Sequence, residues 1–229
     1  PGLKVGDTIL FPLPQGQGLN RKPEQSSSWD DKVGRPGPNG LSGHITSVSG
    51  IERTIHFNQE ESTLRTTLSQ IGTMPTPPYI KKLLGNSADY QTIYAKYGFS
   101  AAAPTAGLHF TPELLKQIKL DHSWNELTLN VGLGTFLPVK EDKIEDHQMH
   151  SESYTISPST SKNIGELKQS GQKLLSIGTT TMRALESNQQ LIPGSHSTSI
   201  FIYPPYQFQL TDALMTNFHL PGSTLLMLV

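Results

Sequence analysis

The chain has 229 residues, 34% of them hydrophobic, which allows one sizeable core or a medium core beside a small satellite domain. A net charge of −1 argues against a nucleic-acid coat protein, and the absence of cysteine excludes disulfides, thiolate zinc sites and cysteine nucleophiles. No apolar run approaches the ~18 residues of a membrane helix and no charged-then-apolar leader opens the chain, so a soluble, cytoplasmic protein without a membrane partner is expected.

From the start, Thr8 to Phe11 reads as a short strand, and His44 to Val48 with Glu52 to Phe57 as a hairpin turning at Ser49-Gly50. Between them Pro12 to Gly43 is a long loop rich in Pro, Gly, Ser and Asn. Glu60 to Ile71 places Leu64, Leu68 and Ile71 on one helical face, with Gly72 closing it. The prolines of Met74 to Tyr79 then force an extended connector, which divides a small β unit, residues 1–78, from an α/β unit, residues 79–229.

In the second unit Ser100 to Thr111 is small, bent and polar, and it delivers His109 just before a helix start marked by Thr111, Pro112 and Glu113. It reads either as a binding loop or as a tight connection whose histidine is satisfied by backbone. Glu126 to Val131 alternates, with Leu127, Leu129 and Val131 inward, and runs into Gly132-Leu133-Gly134-Thr135, where glycines permit close backbone approach. Ser157-Pro158 opens a helix ending by Gly171, Leu174 to Ile177 is a buried strand, and a helix follows Gly178-Thr179-Thr180-Thr181. A further strand is expected at Ser199 to Tyr203. Alternation of this kind is a mixed α/β fold of catalytic type, with ligands expected beyond strand ends.

Charge is uneven: residues 1 to 100 carry 10 Lys and Arg against 8 Asp and Glu, and from Ser187 onward there is no Lys or Arg. Phosphates of a bound polyanion would be met by the first half, for instance by Lys81, Lys82 and Lys96, although from charge alone a solvated mixed-charge surface is the plainer reading. Arg183 and Glu186 stand one helical turn apart, as in an intrahelical salt bridge. His147, His150 and Glu152 lie within six residues, and Asn217 and His219 share a turn. A metal on the first group is one reading. Acid–base chemistry is the better one, because imidazole titrates near neutral pH and no His-Glu-x-x-His motif is present.

Seven segments in order carry a resemblance: Ala102 to Phe110, Val131 to Phe136, Met149 to Glu152, Gly178-Thr179-Thr180, Arg183 to Ser187, Phe201 to Pro204 and Thr216 to Pro221. Together they resemble the S-adenosylmethionine:tRNA ribosyltransferase-isomerase family of queuosine biosynthesis, over about Tyr79 to Val229. The resemblance implies a mixed-sheet α/β catalytic domain, with the first 72 residues looking like part of a small antiparallel β-barrel domain. It implies transfer and isomerisation of the ribosyl group of S-adenosylmethionine onto 7-aminomethyl-7-deazaguanine in tRNA, giving an epoxyqueuosine base, adenine and methionine. S-adenosylmethionine would be a co-substrate, with no other cofactor, no metal and a monomeric chain.

Carried over residue by residue, the resemblance makes His109 and His219 the first candidates for proton transfer, with His150 behind them. Glu152 and Glu186 would face the sulfonium or the incoming amine, and Arg183 the methionine carboxylate or a phosphate. Thr105, Thr179 and Thr180 would bind ribose hydroxyls, and Gly107, Gly132 and Gly134 would admit the ligand, with Thr135, Tyr203 and Asn217 as further contacts. The chain departs from the family pattern at Asn130, where relatives have histidine, and at Ser199, Pro205 and Gly222. The family's segments before and after this stretch are not in the sequence, which reads as part of a longer protein. A non-catalytic relative that binds S-adenosylmethionine or a nucleoside, and a histidine-based metal hydrolase, are the other two readings.

Overall fold

The computed structural model describes residues 2–11, 41–49, 52–72, 76, 80, 86–97, 100, 102–132, 141, 143–219 and 221–229. The loop read from Pro12 onward lies outside these residues as far as position 40, as do the hairpin turn at 50–51 and most of the proline connector. Two compact units are present, Pro1–Thr73 and Met74–Val229.

In the first unit β1 (Thr8–Phe11), β2 (Leu41–Ser49) and β3 (Glu52–Phe57) form an antiparallel sheet in that order. Alternation along β2 turns Leu41, Gly43 and Ile45 to the buried side, and the Phe11 and Phe57 rings meet at 5.7 Å. Gly43 is required there, since a Cβ would overlap the Ile55 side chain. The expected helix is α1 (Glu61–Ile71), and Gly72 closes it by donating its N–H to Leu68 O. Gly72 does so in an extended conformation, φ −67°, so its value is the missing Cβ, which would sit 2.7 Å from the Leu68 carbonyl. Among the described residues this unit is a three-stranded sheet and a helix, and no closed barrel is formed.

The second unit is mixed α/β. Its helices are α2 (Pro112–Asp121), α3 (Pro158–Gln169), α4 (Thr179–Ser187) and the short α5 (Thr224–Leu228). The expected caps are made: Thr111 Oγ1 accepts from Leu114 N–H at 3.2 Å and Ser157 Oγ from Thr160 N–H at 3.0 Å, each followed by a proline in the first turn. Strands β4 (Thr128–Asn130), β5 (Glu152–Ile156) and β7 (Gly194–Thr198) form an antiparallel sheet with β5 in the middle, while β6 (Leu175–Ile177) and β8 (Ala213–Met215) pair in parallel.

Two strand expectations need correction. No strand forms at Ser199 to Tyr203; the ladder with β5 is taken by residues 194–198, and Ile200 N–H turns back to Thr198 Oγ1 at 3.1 Å. The apolar run that suggested a strand goes into packing: Ile202 is buried, and Phe201 stacks against Tyr203 at 4.9 Å. Strand β6 is not buried throughout, because Ser176 faces inward, its hydroxyl 2.9 Å from that of Thr211, and Leu175 faces solvent.

Among the described residues three apolar clusters lie in the core of this unit, and α4 contributes to each: Leu185 to the cluster of Ile164, Leu191 and Leu210, Ala184 to that of Tyr154 and Ile156, and Met182 to that of Ile202 and Leu228. A helix so enclosed must satisfy its polar side chains internally. Lys96 is the described member of the three lysines named above for phosphate contact, and it pairs with Glu126 at 2.8 Å. Among the described residues no helix is long and apolar enough to cross a membrane.

Candidate active site

Parallel pairing of β6 with β8 sets Ile177 beside Met215, so the segments that follow both strands leave the sheet at the same edge. Gly178 N–H donates to Met215 O at 2.9 Å and joins the two exits. At φ +88° Gly178 holds a conformation that side chains rarely adopt, which lets the chain turn directly from β6 into α4. Among the described residues no side chain caps the start of α4, where Thr179 is buried and Thr180 half-buried. Beyond β8 lies Thr216 to His219. This is the edge at which ligands of α/β proteins gather.

The Ser100 to Thr111 loop reaches the same edge. Residues Thr105–His109 form one 3-10 turn, with Gly107 N–H donating to Pro104 O at 2.7 Å, and Phe110 then anchors it edge-on to Trp124 at 5.3 Å. Burial of Phe110 leaves the adjacent His109 exposed, and its Nε2 lies 2.9 Å from Asn217 Oδ1, 108 residues on. His219 Nε2 lies 2.9 Å from Thr216 Oγ1, and burial pushes its pKa below the ordinary 6.5. His109, Asn217, His219 and the Gly178 to Thr180 turn thus come together, and Thr216 joins them without having stood among the expected site residues. A hydroxyl three residues before a histidine in a turn was the signal.

One turn into α4, Arg183 is 3% exposed. Its Nη1 donates to Glu152 at 2.5 Å, from the start of β5, and its Nε to Ile200 O at 3.0 Å. Among the described residues the third nitrogen, Nη2, is buried with no hydrogen-bond partner. Burial lowers the pKa of this guanidinium and the Glu152 charge opposes that. The expected intrahelical Arg183–Glu186 bridge is therefore replaced by longer-range partners. Glu186, 2% exposed, accepts from the N–H groups of Gln209, Leu210 and Thr211 at 2.9, 3.0 and 2.8 Å and from the Tyr206 hydroxyl at 3.3 Å. These partners precede β8, so Glu186 is bound at the edge opposite the two histidines.

The other expected site residues lie as follows. His150 is exposed ahead of β5, Glu152 accepts from Arg183, and His147 Nδ1 lies 2.7 Å from Glu141. Among the described residues no three His, Asp or Glu side chains gather as metal ligands would. Thr105 is half-buried at the start of its turn, Tyr203 packs on Phe201, Gly132 is exposed, and Gly134 and Thr135 lie outside the described residues.

Of the glycines expected to admit the ligand, Gly107 and Gly132 differ in what their missing side chain leaves room for. A Cβ on Gly107 would overlap Tyr94 Oη and stand 2.7 Å from Thr92 Cγ2, whereas among the described residues nothing lies within 4 Å of one on Gly132. Tyr94 is held between the Phe110 and Trp124 rings and cannot swing aside freely. Gly107→Ala is expected to cost about 1–3 kcal/mol by overpacking, and Gly132→Ala less than about 0.5. Equal unfolding midpoints for the two variants would refute this.

A family model described as "Queuosine biosynthesis protein" matches residues 4–229. A curated S-adenosylmethionine:tRNA ribosyltransferase-isomerase of Natranaerobius thermophilus is 54% identical over 168 residues, 71% of this chain and 49% of that protein. One of Carboxydothermus hydrogenoformans is 46% identical over 197 residues, 84% of this chain and 58% of that protein. The crystal structure of an S-adenosylmethionine tRNA ribosyltransferase from Thermotoga maritima is 30% identical and covers 82% of this chain and 50% of that one, with a TM-score of 0.42. The chain spans about half the length of the curated relatives it matches.

Proposed function

This chain belongs to the queuosine biosynthesis protein family, and from that premise we propose that it takes part in moving the ribosyl group of S-adenosylmethionine onto 7-aminomethyl-7-deazaguanine in tRNA. Isomerisation of the ribosyl group then gives the epoxyqueuosine base, with adenine and methionine released. The observation that carries the reading is the 2.9 Å contact of His109 with Asn217, which joins two motifs 108 residues apart beside a third at one sheet edge. S-adenosylmethionine enters as co-substrate and tRNA as partner, in the cytoplasm, and no further cofactor is invoked. The β1–β3 unit belongs, in this reading, to a small antiparallel β-barrel.

The chemistry needs a base for the carbon beside the sulfonium, an acid for the departing adenine, and polar groups to steady developing charge. His219 suits the base, because burial keeps its imidazole neutral near pH 7. If its Nε2–H donates to Thr216, Nδ1 keeps a lone pair to accept the proton. His109, oriented by Asn217, is exposed and suits transfer to the leaving base. Thr179, Thr180 and the uncapped first turn of α4 offer donors to ribose or carboxylate oxygens. Arg183 serves this reading as a support for α4, since Nε and Nη1 are engaged and Nη2 is buried away from solvent.

The test is adenine release from S-adenosylmethionine in the presence of tRNA carrying the aminomethyl base. The gene's complete product should be used, with whatever sequence lies on either side of these residues. His219→Ala and His109→Ala are each expected to lower the rate about a hundredfold. Since His219 must be unprotonated, kcat/KM should fall on the acid side, with that limb below about 6.5. No adenine above the level of the double variant would defeat the enzymatic reading.

A further inference from the structure

We infer that Phe218 is a stacking platform for a nucleobase at the mouth of this site, an inference that deepens the proposed function and rests on it. Among the described residues Phe218 is the most exposed large apolar side chain, at 107%; the next are Tyr97 at 84% and Leu120 at 78%. A single exposed hydrophobic residue is ordinary. What sets this one apart is that both neighbours are tied down.

Asn217 is held to His109 across 108 residues, and His219 to Thr216 within the turn. Between two such anchors the backbone direction is fixed, and the ring between them is turned outward. The presentation takes place at the exit edge of β6 and β8, between the amide that orients one histidine and the second histidine itself.

The surroundings select the kind of occupant. From Ser187 to Val229 the one charged residue is Asp212, whose carboxylate is bound to Lys168, Lys173 and the Leu174 N–H ahead of β6, away from this edge. A phosphate therefore finds no side-chain cation in the Phe218 loop, and among the described residues of that loop Phe218 is the one exposed large apolar side chain a peptide could grip. A planar aromatic face with neutral amide, hydroxyl and imidazole groups at its rim fits a nucleobase, which offers a π-face to the ring and donors and acceptors along its edges. The proposed reaction handles two such bases, the adenine of S-adenosylmethionine and the deazaguanine of tRNA.

The experiment uses the gene's complete product with Phe218→Ala, Phe218→Leu and Phe218→Trp. Because the ring lies in solvent, each variant should unfold at the native temperature. In Phe218→Trp, emission of the added indole is titrated separately with S-adenosylmethionine and with an anticodon stem-loop carrying the aminomethyl base; the arm that quenches it identifies which base stacks. For that same ligand Phe218→Ala and Phe218→Leu should weaken binding about ten- to a hundredfold, with kcat changed less than about twofold, while Phe218→Trp retains native affinity. Unchanged affinity for both ligands in Phe218→Ala, or emission that neither ligand alters, overturns the platform. If the native protein releases no adenine yet a ligand quenches the indole, the proposed reaction fails and the platform stands. If Phe218→Ala releases adenine and binds both ligands at native affinity, the reaction stands and the platform fails.

Discussion

Glu152→Ala is expected to destabilise the second unit by about 3–5 kcal/mol, the largest of the expected single-residue effects. Glu152 and Arg183 are 6% and 3% exposed, and the alanine variant would leave a guanidinium in the core with a carbonyl, Ile200 O, as its remaining partner. Among the described residues Arg183 already carries one nitrogen without a partner, so there is no spare acceptor to redirect. For a unit of this size the loss corresponds to roughly 10 °C or more in unfolding temperature. The cost comes from an uncompensated charge, not from the pair being strongly favourable. A double variant, Glu152→Ala with Arg183→Met, should therefore recover much of the stability. Denaturant unfolding of the two variants decides it: a single variant within about 1 kcal/mol of native, or a double variant worse than the single, would contradict this account.

The second large effect is expected at Glu186. Its carboxylate collects three consecutive backbone N–H groups, Gln209 to Thr211, and the Tyr206 hydroxyl, and bonds to a charged acceptor contribute about 1.5–3 kcal/mol each before non-additivity. Glu186→Ala should cost about 3 kcal/mol and speed hydrogen exchange at the amides of Leu210 and Thr211, which are buried. Glu186→Gln should cost less, since one oxygen remains an acceptor while the amide nitrogen faces donors. The damage would not stay local, because this segment leads into β8 and β8 carries the Thr216 to His219 turn. Loss of activity in Glu186 variants that tracks their loss of stability is thus expected; a stable Glu186→Ala protein with abolished adenine release would instead place the carboxylate at the chemistry.

Local signals in the sequence translated well. Thr111 and Ser157 cap their helices because a cap needs only the residues beside it, and β1 and β3 follow from alternation over a few positions, whereas Leu41 to Gly43, expected as the end of a loop, extend β2 and carry most of its pairing with β1. Non-local pairings did not translate. Arg183 and Glu186 stand at a spacing that invites a helical ion pair, yet their partners lie 31 residues upstream and 17 to 25 downstream, where no spacing rule reaches. Likewise Ser199 to Tyr203 has the composition of a strand, but which stretch pairs with β5 is decided by register, and Gly194–Thr198 holds it. The histidine motifs stood out in the sequence. That Asn217 orients His109, and that Glu186 points to the far edge, required the fold.

Helix α4 starts at the proposed ligand edge and threads all three apolar clusters. In evolutionary terms this divides the protein into a fixed chassis and an adjustable mouth. A change along the buried face of α4 that improved the fit to a new substrate would weaken folding at once, whereas an exposed position of the turn after β8, such as Phe218, can vary with little structural penalty. Divergence in substrate choice within such a fold would accumulate in the turns and leave the helix behind them nearly silent.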